Sequence, residues 1–80
     1  MRVRVAVFAN LKDYFQAELE LDLPDGARAG DVARELERME PEARELLESC
    51  RLAVDENFVD PDFGLKGDEE ILVFPPSSGG

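Results

Sequence analysis

From Arg2 to Phe8 the chain alternates. Val3, Val5 and Val7 fall on one face, and Arg2, Arg4, Ala6 and Phe8 on the other. A period of two over seven residues predicts a half-buried strand. Glu18 to Leu23 repeats the pattern, with Leu19, Leu21 and Leu23 inward and Glu18, Glu20 and Asp22 outward; Pro24-Asp25-Gly26 then ends it as a turn. The two strands are expected to pair as an antiparallel hairpin, across a polar-aromatic connection, Asn10 to Gln16, with room for one helical turn. From Asp31 to Glu40 the period becomes helical. Val32, Leu36 and Met39 form one stripe with Ala33 beside it, and Asp31 is placed to cap the start. Pro41 suits the first turn of a second short helix whose stripe is Ala43, Leu46, Leu47 and Cys50. Arg51 to Val54 reads as a short strand, Asp55-Glu56-Asn57 as a turn, Phe58-Val59 as another short strand and Asp60 to Gly64 as a loop. Ile71 to Phe74 is apolar throughout, as expected of a central strand buried on both faces.

A hairpin, a helix crossing one face, and a last strand returning to the middle make an α+β arrangement of the β-grasp kind. The helix supplies the crossover, so the last strand is expected parallel to the first. Residues 1–74 form the domain, and 75–80 an extended, flexible tail.

Composition narrows the choice of partners. Eighty residues make one small domain with a modest core and little room for a deep pocket. Nineteen acids against nine basic residues give a net charge of −10. That disfavours nucleic acid and anionic membrane as partners, and favours a basic protein groove. A single cysteine permits no internal disulfide and cannot hold an iron–sulfur cluster, which needs about four thiolates. There is no histidine, no phosphate-binding glycine loop and no apolar run long enough to span a membrane. The chain reads as cytoplasmic, without a cofactor or metal of its own, and non-catalytic in isolation.

Chemistry is left to two places. The first is the end, Phe74-Pro75-Pro76-Ser77-Ser78-Gly79-Gly80. Two prolines impose an extended exit from the sheet. Ser77 and Ser78 are small, and Gly79 and Gly80 let another backbone approach from any side. A carboxylate displayed in this way can enter a narrow active site and be activated there by ATP bound to another enzyme. The second is an aromatic set. Phe8 lies on the polar face of its strand, Phe74 ends the last strand and Phe58 starts a neighbouring one. Together they could form one apolar patch at the root of the tail and dock a partner. Cys50 could be a nucleophile, but its place on an apolar stripe reads first as packing.

The chain resembles the MoaD-type small subunits of molybdopterin synthase, a family of ubiquitin-like sulfur carriers. The residues that carry the likeness are Val7-Phe8-Ala9-Asn10-Leu11-Lys12, Leu52-Ala53-Val54 and Gly67-Asp68-Glu69, and above all the Phe-Pro-Pro-x-x-Gly-Gly ending. The resemblance implies a cycle. A MoeB-like adenylyltransferase activates Gly80 with ATP, and a sulfurtransferase system converts it to a thiocarboxylate. The loaded tail then enters a MoaE-like large subunit in a heterotetramer, where sulfur passes to a pyranopterin precursor. It implies a partner surface on Phe8, Phe58 and Phe74. The family's usual Asn in the turn at Asp55 and its Ser or Thr helix cap near Arg28 are missing here, which touches local geometry and not the tail. A carrier for thiamine thiazole, tRNA thiolation or cysteine synthesis, or a protein modifier acting through Gly80, would use the same terminus.

Overall fold

The computed structural model describes residues 1–76. Five strands form one sheet in the order β2-β1-β5-β3-β4. They are β1 (Arg2–Val7), β2 (Glu18–Asp22), β3 (Arg51–Val54), β4 (Asn57–Val59) and β5 (Glu70–Phe74). The hairpin β1–β2 is antiparallel with Val3 opposite Leu21, and β5 runs parallel to β1 with Val7 opposite Val73. Helix α1 (Ala29–Met39) supplies the crossover and packs on one face of the sheet, followed by a 3-10 turn (Pro41–Ala43) and α2 (Arg44–Glu48). A second 3-10 turn, Ala9–Asp13, fills the connection between β1 and β2.

Parity decides what is buried. Val3, Val5, Val7, Ile71 and Val73 point toward α1 and join Val32, Leu36, Leu11 and Leu47 in one core cluster. These side chains are almost wholly withdrawn from water. Cutting one such Leu or Ile to Ala removes about 2–5 kcal/mol of stability.

Three expectations are corrected. Only Ile71 and Val73 of β5 are buried; Leu72 and Phe74 are half-exposed. The helices cover one face of the sheet, so a strand central in hydrogen bonding remains open on the other. Met39 leaves the helical stripe and is 44% exposed, because α1 ends there and the chain turns toward Pro41. Asp31 is not the cap residue. The helix begins two residues earlier, at Ala29, and the Asp31 carboxylate accepts a 2.8 Å hydrogen bond from the backbone N–H of Arg28. An acid at the third helical position does the work of the absent Ser or Thr by tying back to the cap residue's own N–H.

The start of β5 is set by one carboxylate. Glu69 is buried, and its two oxygens accept hydrogen bonds from the N–H groups of Lys66 (2.7 Å) and Gly67 (2.8 Å). Gly67 has φ of +111°, and a Cβ there would come within 3.3 Å of Met1. Only glycine fits both demands. The clamp folds the 66–69 turn and delivers β5 into the sheet beside β1.

Candidate functional site

The open face of the sheet is divided along its length. At one end Arg4 stands opposite Glu20 on β2 and Glu70 on β5, and Arg2 pairs with Glu20 and Asp22. At the other end, where β5 gives way to Pro75 and Pro76, the face is apolar. Val7 is in register with Val73, so the next residue, Phe8, falls beside Phe74. Their rings stack with centroids 4.6 Å apart and planes 10° from parallel. Phe58, 57% exposed, tilts against Phe74 at 5.8 Å. Ala53, which lies between Phe58 and Leu72 in the register, presents only a methyl group and leaves room for that contact. The three phenylalanines that strand parity singled out thus form one cluster at the root of the tail.

Two local features hold it. Immediately after Phe8 the chain turns through Ala9 at φ 54°, a left-handed conformation that costs an alanine about 1 kcal/mol and ends β1 abruptly. Arg51, in register with Phe74, lays its guanidinium over the Phe58 ring at 4.0 Å. A cation on an aromatic face is worth about 0.5–1 kcal/mol where exposed. This arginine was not among the residues picked out from the sequence. Its signal was available, however, because Arg51 opens a strand whose first residue faces away from the core.

Pro75 and Pro76 leave the sheet half-buried and outside any regular element. Ser77, Ser78, Gly79 and Gly80 lie outside the described residues. Of the two aromatics in the connection between β1 and β2, Phe15 sits in the core and Tyr14 faces solvent.

Cys50 is a free thiol, half-buried at the edge of the core, and burial pushes its pKa up. A thiol held toward its neutral form is a poor nucleophile. Among the described residues no group of acids or cysteines is arranged to hold a metal ion, and no helix is long and apolar enough to cross a membrane.

Sequence and fold comparisons agree on the relatives. The family model for the ThiS family matches residues 5–80. A molybdopterin synthase sulfur carrier subunit from Dictyostelium discoideum is 30% identical, over 96% of this chain and 94% of its own length. A Pyrococcus furiosus structure assigned as molybdopterin converting factor, subunit 1, superimposes with a TM-score of 0.82 at 29% identity, covering 95% of this chain and 98% of its own. Small archaeal modifier protein 1 from Methanosarcina acetivorans gives 0.81 at 26% identity, over 99% of this chain and 96% of its own. Subunits 1 and 2 of the molybdopterin-converting factor from Helicobacter pylori, solved as a complex, include a chain of the same fold (TM-score 0.70, 22% identity, 100% of both chains). The sheet order, the helix across one face and these matches make the fold a ubiquitin-like β-grasp, and the chain belongs to the ThiS family, among its MoaD-type sulfur carriers.

Proposed function

We propose that this protein is the sulfur-carrying small subunit of a molybdopterin synthase. The observation that carries the reading is the aromatic cluster of Phe8, Phe58 and Phe74, seated where the chain leaves the sheet for its Gly-Gly end. A patch at that position docks a larger protein and aims the tail into it. The tail then supplies one reacting group, the carboxylate of Gly80. That carboxylate attacks the α-phosphate of ATP held by a MoeB-like adenylyltransferase, and pyrophosphate leaves. A sulfur nucleophile delivered by a sulfurtransferase attacks the acyl-adenylate, and AMP leaves. The thiocarboxylate is carried, in the cytoplasm, to a MoaE-like large subunit in a heterotetramer and gives its sulfur to the pyranopterin precursor. The Helicobacter pylori complex, in which a chain of this fold meets a second subunit, supports the large-subunit partner.

The same terminus could instead form isopeptide bonds, a reading favoured by the 26% identity to small archaeal modifier protein 1. Intact mass spectrometry of the protein from its native cell separates the two. An oxygen-to-sulfur exchange at Gly80 supports the carrier; a ladder of conjugates without that exchange overturns it. Removing Gly79 and Gly80 is expected to abolish adenylation by the activating enzyme and leave the thermal midpoint unchanged, since the pair lies beyond the last core residue, Val73. Full adenylation of a chain ending at Ser78 would sink the proposal.

A further inference from the structure

Beside the aromatic cluster lies a second surface that the sequence did not suggest. A groove of about 670 Å³ runs between the open end of the β3–β4 hairpin and the loop from Asp60 to Phe63. Its apolar lining includes Cys50, Val59, Phe58 and Phe63, and Phe63 is 42% exposed. Asp60 and Asp62 stand on its rim, and neither is ion-paired among the described residues. Arg51, which also lines the groove, is occupied over Phe58.

The outer wall is rigid. The start of α1 donates into it, from Ala29 N–H to the Phe63 carbonyl (2.8 Å) and from Gly30 N–H to the Pro61 carbonyl (2.7 Å). Leu65 N–H donates to the Ala27 carbonyl at 3.0 Å, closing the far side. The loop approaches so closely that a Cβ on Gly30 would lie 3.0 Å from the Pro61 side chain. The groove is mixed in character, with Arg51, Asp60 and Asp62 beside its apolar residues, and it leaves the large ring of Phe63 exposed between them, a combination suited to a partner that is itself part apolar and part charged.

We propose that this groove is a second docking arm for the large subunit, taking a segment of it in which an apolar side chain is flanked by lysine or arginine. The inference rests on the reading given under Proposed function. Two observations choose that occupant. Phe58 and Arg51 belong both to the groove and to the surroundings of the aromatic cluster, so a protein docked on the cluster reaches the groove without a break. The two free carboxylates favour a basic segment and oppose the chain's own tail, which ends in a third. Held at both the cluster and the groove, the partner cannot rotate about the tail root.

The test is titration calorimetry of the full chain against the purified large subunit. Phe63→Ala is expected to weaken binding by about ten-fold or more, as truncation of an interface aromatic does. Asp60→Asn with Asp62→Asn is expected to weaken it about five-fold at low salt, with the difference gone near about 0.5 M salt. All of these side chains are outside the core, so the thermal midpoint serves as the folding control. Phe74→Ala is measured in parallel. If it weakens binding while the groove variants bind like wild type, the groove proposal is overturned and the carrier reading stands. If the wild-type chain does not bind the large subunit, both fall. A concentration-dependent dimer lost in Phe63→Ala would assign the groove to a second copy. A shift of the Phe63 ring resonances on deleting residues 77–80 would assign it to the tail. Either result overturns the proposal.

Discussion

Glu69 shows how a single buried acid can be made to favour folding. Burial pushes its carboxyl pKa up, but the hydrogen bonds from the backbone N–H groups of Gly67 and Lys66, with the neighbouring backbone amides of the turn, outweigh that and hold it below the usual carboxylate range. A carboxyl whose folded pKa is depressed stabilises above its unfolded value, near about 4.3, and the contribution is lost as pH falls through the folded value. Protonation turns one accepting oxygen into a donor facing an N–H. Glu69→Gln makes the same change permanently. The variant is therefore expected to be about 1.5–3 kcal/mol less stable than wild type at pH 7, the worth of hydrogen bonds to a charged group. That gap should close as the pH is lowered into the acid range. Urea unfolding of both proteins at a series of pH values measures it, and a gap that stays constant down to the acid limit would refute the clamp. The alternating pattern of the sequence is blind to this residue. Glu69 is one acid among nineteen, and its burial follows from the turn that brings the Lys66 and Gly67 N–H groups to its carboxylate.

At the scale of elements, most of the architecture was legible because each element carries its own periodicity. The strands at Arg2–Val7 and Glu18–Asp22, the crossover helix and the parallel last strand follow from alternation, helical period and chain order. The boundaries that moved did so for local reasons. Asp31 works from the third helical position, and Met39 lies where the helix stops. The two-face burial expected of β5 depended on a second helical layer, and nothing in the apolar run Ile71 to Phe74 distinguishes a covered face from one left open for a partner. The β3–β4 hairpin departs from local preference. Its two-residue loop, Asp55 and Glu56, has φ of 50° and 74°, which only glycine and, less readily, Asn or Asp adopt without strain. Glu56→Gly is accordingly expected to raise stability by about 0.5–1 kcal/mol, relief of left-handed strain exceeding the added entropy of the unfolded chain. A higher urea midpoint with an unchanged slope is the expected result. A lower midpoint would mean that the Glu56 side chain contributes more than the strain costs.

At the scale of the whole molecule, the overall charge and the aromatic cluster divide the work of association. The net charge of −10 extends its field well beyond the surface, whereas the Phe8, Phe58 and Phe74 cluster acts only on contact. That the three phenylalanines share one end of the sheet was legible from strand parity and chain order, but the contact of Phe58 with Phe74 was not, because it depends on the register of two strand pairs and on the small side chain at Ala53. Charge should govern the rate of encounter with a basic partner, and the aromatics the lifetime of the complex. Raising the ionic strength from about 0.05 to 0.5 M shortens the Debye length from roughly 14 Å to about 4 Å. The association rate with the large subunit is expected to fall about ten-fold over that range, while the dissociation rate changes little. Phe58→Ala should do the reverse. Its ring is more than half exposed, so the folded chain loses little, but the complex loses about 2 kcal/mol, seen as a dissociation rate roughly 30-fold faster with association nearly unchanged. Stopped-flow mixing at several salt concentrations resolves both rates. If Phe58→Ala instead slows association in proportion to its loss of affinity, the ring takes part in the encounter, and the division between steering charge and anchoring aromatics is wrong.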